Sequence, residues 1–321
     1  MAAAVVLEDR VDQISNLSKG LLDVTDTEPA ELMWLATRRM RAALELFRPC
    51  FPKSQYRGSR EEVRTLIDTV GRRRDTDRAI ATVEEVGAEM GLAEQEGIAR
   101  MIDRLRREQA DANRALAQSI HGRRMQAFRV RIEDLSDVAA EDGDGEERDS
   151  HHSLSEVPES ATDLVAKRLG RLRACVPAAL EPYAIKDQHR MRVAAERLRY
   201  ALELTAEGLG TQAHTARRAA RGLQEILGEI RDCDIVLPEA REQIRLLEEE
   251  DIATIVERAR GNRDLDPILV QAAPNRSEYR GLELLVVHLL ARRRIMYERF
   301  KRLWLEQSRQ GVWVALETSL R

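Results

Sequence analysis

Residues 189–200 read HRMRVAAERLRY, and residues 34–45 read WLATRRMRAALE. Advancing about 100° per residue, the first stretch gathers Met191, Ala194, Ala195 and Leu198 on one side of a helix, with Ala201 and Leu202 continuing it. His189, Arg192, Glu196, Arg199 and Tyr200 fall on the other side, with Arg197 at its flank. In the second stretch and its surroundings, Met33, Ala36, Met40, Ala43, Leu44 and Phe47 form the apolar stripe. Arg38, Arg39 and Arg41 then take the face of Glu196, Arg197 and Arg199. Each helix can pack by one side and present guanidinium groups by the other. Solvation alone explains a single charged face. It does not explain arginine, rather than lysine or glutamate, at matching positions of two helices. A planar guanidinium can grip two oxygens of one phosphate, which lysine does less well.

The repetition extends further. RRMR at 38–41 aligns with ERLR at 196–199 at an offset of 158, and LIDTVGRRRDTD at 66–77 aligns with LQEILGEIRDCD at 223–234 at an offset of 157. Two motifs recurring in order at nearly one offset predict an all-α, internally duplicated fold: two helical bundles related by pseudo-two-fold symmetry. Composition agrees, since charged residues are 34% and aromatics 4% of 321, and no segment shows strand alternation. Helices are expected at about 4–20, 29–48, 57–91, 94–118, 120–134, 160–174, 186–207, 211–245, 249–259 and 276–308. Pro49 and Pro52 close the second of these, and Pro177 and Pro182 mark the connection into the later basic helix. The acidic, serine-rich stretch from 133 to 160 buries too little apolar surface to offset its ordering entropy. The expected organisation is a helical extension over 1–28, a first half over 29–134, a flexible linker over 135–160, a second half over 161–308 and a tail over 309–321. His151 and His152 fall in that linker and read as solvated.

Formal net charge is -4, so any electrostatic attraction of a polyanion depends on where the arginines sit. Further arginines lie on neighbouring helices: Arg123 and Arg124, Arg218 and Arg221, and Arg293 and Arg294, with Arg123 and Arg124 in the place of the last pair. Convergence of these basic faces would make a cationic groove that the net charge conceals. The pairs Asp75/Asp77 and Asp232/Asp234 invite a magnesium reading, but i and i+2 positions do not share a helix face. Each pair follows an arginine, Arg74 or Arg231, which favours carboxylates that orient arginines or cap a helix. No metal site is expected. Gly71 and Gly228 read as close-packing positions rather than a phosphate loop. Cys50, Cys175 and Cys233 show no ligand spacing, no membrane-length apolar run occurs, and the first residues, MAAAVVLEDRVDQ, are not expected to form a signal peptide. A reduced cytoplasmic compartment follows as an expectation.

The segments HRMRVAAERLRYALEL (189–204) and LQEILGEIRDCDI (223–235), with LATRRMRAALELF (35–47) and GRRRDTD (71–77), resemble the CHAD family, helical domains named for their conserved histidines. With the terminal arginine-rich helix, the resemblance covers about 29–308. It implies a basic central channel between pseudo-symmetric bundles, binding of inorganic polyphosphate, association with polyphosphate granules and no catalysis by the domain itself. It assigns ligand contacts to His189, Arg192, Arg197 and Arg199, to Arg38, Arg39 and Arg41, and to Arg74 and Arg231. The first copy departs from the family pattern, with Glu31 and Trp34 where a histidine and an arginine are usual. Glu196 stands where the first copy has Arg38, and a carboxylate beside a polyanion is unfavourable unless paired.

No strand-rich triphosphate-hydrolase segment is visible within these residues, which weakens an enzyme assignment. The expected function is therefore noncatalytic polyphosphate binding without a cofactor or a membrane partner. Nucleic-acid binding fits less well, because few aromatics are present to stack on bases. A phosphate-transfer or polyphosphate-hydrolysing enzyme would have to use His189 and the paired aspartates.

Overall fold

Helical periodicity carries through almost every segment of the computed structural model, which describes residues 2–144, 159–262 and 264–320. The α-helices are α1 (Ala2–Leu17), α2 (Glu28–Leu46), α3 (Lys53–Ala88), α4 (Gln95–Ser119), α5 (Gly122–Asp144), α6 (Glu159–Ala179), α7 (Ile185–Leu209), α8 (Thr211–Arg258), α9 (Pro267–Gln271), α10 (Arg276–Arg309) and α11 (Val312–Ser319). No strand occurs among the described residues. Short 3-10 turns at Arg48–Cys50 and Leu92–Glu94 follow α2 and precede α4. Pro49 falls in the first of these, after α2 has ended at Leu46. Gly210 adopts a left-handed φ of 79°, which lets the chain turn from α7 into α8 without a β-carbon clash.

Several expected boundaries move, each for a packing reason. The expected extension is integral: Leu7, Val11 and Ile14 of α1 are fully buried, and α1 packs against α2 and α5. Helix α5 runs on to Asp144, so residues 135–144 are helical rather than linker, and Leu135 is a core residue. The rest of that linker, with His151 and His152, lies outside the described residues. Pro177 does not end α6, which continues to Ala179. Helix α8 is continuous where two helices were expected, because the glutamates near 248–250 are good helix formers and no proline interrupts them. The expected tail forms α11, whose buried Trp313 stacks on Trp304 at 5.9 Å between ring centroids.

The chain forms two compact units, each assembled from separate segments. The first comprises Met1–Arg74, Asp111–Gly228 and Tyr297–Arg321; the second comprises Asp75–Ala110 and Glu229–Met296. Neither unit corresponds to a sequence half, because α3, α4, α8 and α10 each contribute residues to both units. In the first unit, Met33, Met40 and Leu44 of α2 join Val63 and Val70 of α3 and Phe128 and Ile132 of α5 in one core. Helix α7 packs against α6 and also touches α2. In the second unit, Val83, Met101, Leu105, Val236, Leu247, Leu285 and Leu289 form a separate core.

Two aspartates of the repeated motif, Asp232 and Asp234, anchor arginines of other helices in the second unit. Asp232 pairs with Arg78, Asp234 accepts from Arg293 Nε at 2.6 Å, and Asp77 accepts from Gln109 at 2.6 Å. The repeated glycines do not serve close packing. Gly71 has ordinary clearance to Trp34 at 3.7 Å from a β-carbon position, and the space beside Gly228 is open. Close approach occurs instead at Gly97 and Gly281, where a β-carbon would collide with the carbonyl oxygens of Glu278 and Glu94.

Candidate anion-binding site

Trp34, Arg38 and Arg41 recur at i, i+4 and i+7 on α2, and Arg192, Glu196, Arg199 and Glu203 at i, i+4, i+7 and i+11 on α7. Such spacings hold side chains on one helical face. In the first unit these two faces meet. Glu196 is fully buried and pairs with Arg38; Arg192 and Arg41 lie 3.6 and 3.8 Å from its carboxylate oxygens. Glu203 receives Arg39 at 2.8 Å and Arg199 at 3.5 Å, and Arg199 Nε donates to Gln224 of α8 at 2.8 Å. Arg168 of α6 pairs with Glu45 of α2.

The basic face of α7 is therefore not a solvated stripe. Arg192 and Tyr200 are buried together with the apolar side, because α2 covers them. Trp34 is also buried, with the guanidinium carbons of Arg38 and Arg74 each over its ring at 4.1 Å and that of Arg192 at 6.0 Å. Arg74 reaches from α3 to pair with Glu31. Arg199 lies over the Tyr200 ring at 4.2 Å.

Positive charge is concentrated in this cluster. Among the described residues, guanidiniums from Arg38, Arg39, Arg41, Arg74, Arg168, Arg192, Arg197 and Arg199 gather around carboxylates from Glu31, Glu45, Glu196 and Glu203. Arg197 has no ion-pair partner among the described residues, and its buried Nε makes no hydrogen bond. Its neighbours register its charge. Burial above all, then the like charges of Arg38 and Arg197, push Arg41 down to about 10. Burial likewise lowers Arg168, which Glu45 opposes and Arg197 and Arg171 reinforce. Burial and then Glu196 push Tyr200 up to about 12. A site of this kind favours an anion that adds negative charge without requiring further burial of cations.

A family model described as the CHAD domain matches residues 5–241. The chain belongs to the CHAD domain family. The match begins within α1, in keeping with the place of that helix in the core. Two solved structures share the fold of this CHAD domain. The CHAD domain from the plant Ricinus communis is 19% identical, with a TM-score of 0.57, covering 99% of this chain and 90% of its own. PptA from Streptomyces chartreusis is 19% identical, with a TM-score of 0.57, covering 94% of this chain and 98% of its own. No curated protein matches the chain.

Within this CHAD domain, the cluster unites Arg38, Arg39, Arg41, Arg74, Arg192, Arg197 and Arg199. His189 is half-buried in the first turns of α7. Arg218 and Arg221 are exposed on α8, where Arg221 pairs with Glu225 at 2.7 Å. Arg123 and Arg124 are exposed at the start of α5, and no contact joins them to the cluster among the described residues. Arg231, Arg293 and Arg294 belong to the second unit, where Arg293 is buried on Asp234 and Arg294 is exposed. The surroundings of Arg123 and Arg124 thus differ from those of Arg293.

Sequence reasoning passed over Arg168, Glu45, Glu203 and Gln224. Arg168, Arg171 and Arg173 in one helix were a signal for the first of these. The partners from other helices had none. No helix among the described residues is long and apolar enough to cross a membrane, and no group of potential metal ligands occurs among them.

Proposed function

We propose that this CHAD domain binds inorganic polyphosphate without catalysis, through the guanidinium cluster of α2, α3, α6 and α7. The family is known for polyphosphate binding. The observation that carries the reading is the uncompensated positive charge centred on Arg197, beside Arg41 and Arg168. Arginine forks would hold successive phosphates by charge-assisted, often bidentate, hydrogen bonds, while release of counterions from the phosphate chain drives association. The proposed setting is the cytoplasm, at polyphosphate granules.

An internal duplication around a basic channel belongs to the same reading. Its support is the pairing of Arg38 with Glu196, residues 158 apart and equivalent in the repeat. Equivalent positions meet where a two-fold axis passes between their helices. Nucleic acid is a poorer ligand for this site, because Trp34 and Tyr200 are buried beneath arginines and cannot stack on bases.

Titration with long-chain polyphosphate, short oligophosphates and single-stranded nucleic acid across a salt series tests the reading. Long chains are expected to bind most tightly, with affinity falling steeply as salt rises. Arg197→Ala is expected to cost about tenfold in affinity, the loss of one charge-assisted contact. Equal, weak binding of all three ligands, or an unchanged Arg197→Ala variant, would overturn it.

A further inference from the structure

Arg38 and Arg74 both lie over Trp34 at 4.1 Å, yet their carboxylate partners differ. Glu196, which holds Arg38, is fully buried and shared with Arg41 and Arg192. It is part of the folded core of the cluster and is shared by three cations. Glu31, which holds Arg74, has a side chain 38% exposed, whereas Arg74 is 12% exposed. Glu31 stands in the first turns of α2, with its carboxylate across both Nε and Nη2 of Arg74. Rotation of Glu31 into solvent would uncover the hydrogen-bonding edge of Arg74. The Trp34 ring would meanwhile keep the guanidinium in place, because the stacked contact uses its face and not its N–H groups.

We infer that Glu31 is a displaceable internal competitor for the phosphate ligand, and that Trp34 holds Arg74 ready for the exchange. This inference rests on the polyphosphate reading of the cluster. Glu31 acts through Arg74 and is a positioning residue. Its carboxylate holds the Nε and Nη2 edge of Arg74 in the absence of ligand, and a phosphate oxygen replaces it on binding. The consequence is selectivity. A ligand must offer enough adjacent negative charge to outcompete a tethered carboxylate, so chains of phosphate gain over single anions. The departure at positions 31 and 34 thereby sets a threshold for binding.

A double-mutant cycle in the full chain tests this, with polyphosphate affinity measured for wild type, Glu31→Gln, Arg74→Gln and the double variant. Thermal unfolding of each variant without ligand separates folding defects from binding. Glu31→Gln is expected to bind about two- to fivefold more tightly, the worth of a partly exposed ion pair. That gain should shrink when Arg74 is already glutamine, because no guanidinium remains to be released. It should also be larger for orthophosphate and tripolyphosphate than for long chains.

Weaker binding by Glu31→Gln, or an equal gain in both backgrounds, would overturn the inference while leaving the polyphosphate reading intact. Failure of wild type and Glu31→Gln alike to bind any phosphate would remove both.

Discussion

Arg41 concentrates the conflict between folding and binding in a single residue. Its side chain is 17% exposed, and Arg38 and Arg197 oppose its charge, so its protonated form is better tolerated in the unfolded chain. The sign follows from linkage. A cation whose folded pKa is depressed costs stability at every pH below that value, and the cost is relieved only as pH rises through about 10. At neutral pH the cost is present in full. Arg41→Met should therefore stabilise the ligand-free protein, by about 1 kcal/mol, as when other buried charges give way to apolar groups. The same change should weaken polyphosphate binding. Urea unfolding and ligand titration on one sample read both effects, and a loss of stability would show that Glu196 needs Arg41. The arginines were legible as a repeated pattern, and Glu31 and Glu196 as departures from it; the other carboxylates that hold them were not. Glu203 and Glu45 look like ordinary helix-surface residues until another helix brings Arg39 or Arg168 to them.

At the scale of elements, periodicity located the helices and missed their ends. Helix α8 continues through its acidic stretch, α5 continues to Asp144, and α11 forms beyond the expected last helix. Each extension follows from packing or helix propensity that outweighs a local signal of composition. The glycines teach the same lesson. Gly71 and Gly228 drew attention through their motif, whereas the close approaches lie at Gly97 of α4 and Gly281 of α10. At Gly281 a methyl group would strike the backbone oxygen of Glu94, which cannot swing aside as a side chain would. Gly281→Ala should thus destabilise the second unit by about 1–3 kcal/mol, the usual cost of overpacking. Its measure is a lower urea midpoint, with phosphate binding kept at temperatures where the variant is folded. Gly228→Ala, with open space around it, should leave the midpoint unchanged or raise it slightly by removing backbone freedom from a helix interior.

For the whole molecule, a net charge of -4 coexists with a concentrated cluster of guanidiniums around Arg197. A ligand that binds only the folded cluster stabilises it by mass action, about 2.7 kcal/mol at one hundred times the dissociation constant. Polyphosphate should accordingly raise the melting temperature at low salt, and high salt should abolish the rise while leaving the ligand-free protein little changed. A rise that persists undiminished at high salt would contradict an electrostatic mode of binding. The sequence by itself determined the all-helical fold, the apolar stripes of α2 and α7 and the family, because helix periodicity and motif spacing are written in neighbouring residues. Only the tertiary structure decided that the basic face of α7 is buried against α2, that Glu196 is shared by Arg38, Arg41 and Arg192, and that Arg197 is left without an ion-pair partner among the described residues. Those outcomes depend on which side chains a helix crossing brings together from positions 158 apart, and no local pattern encodes that meeting.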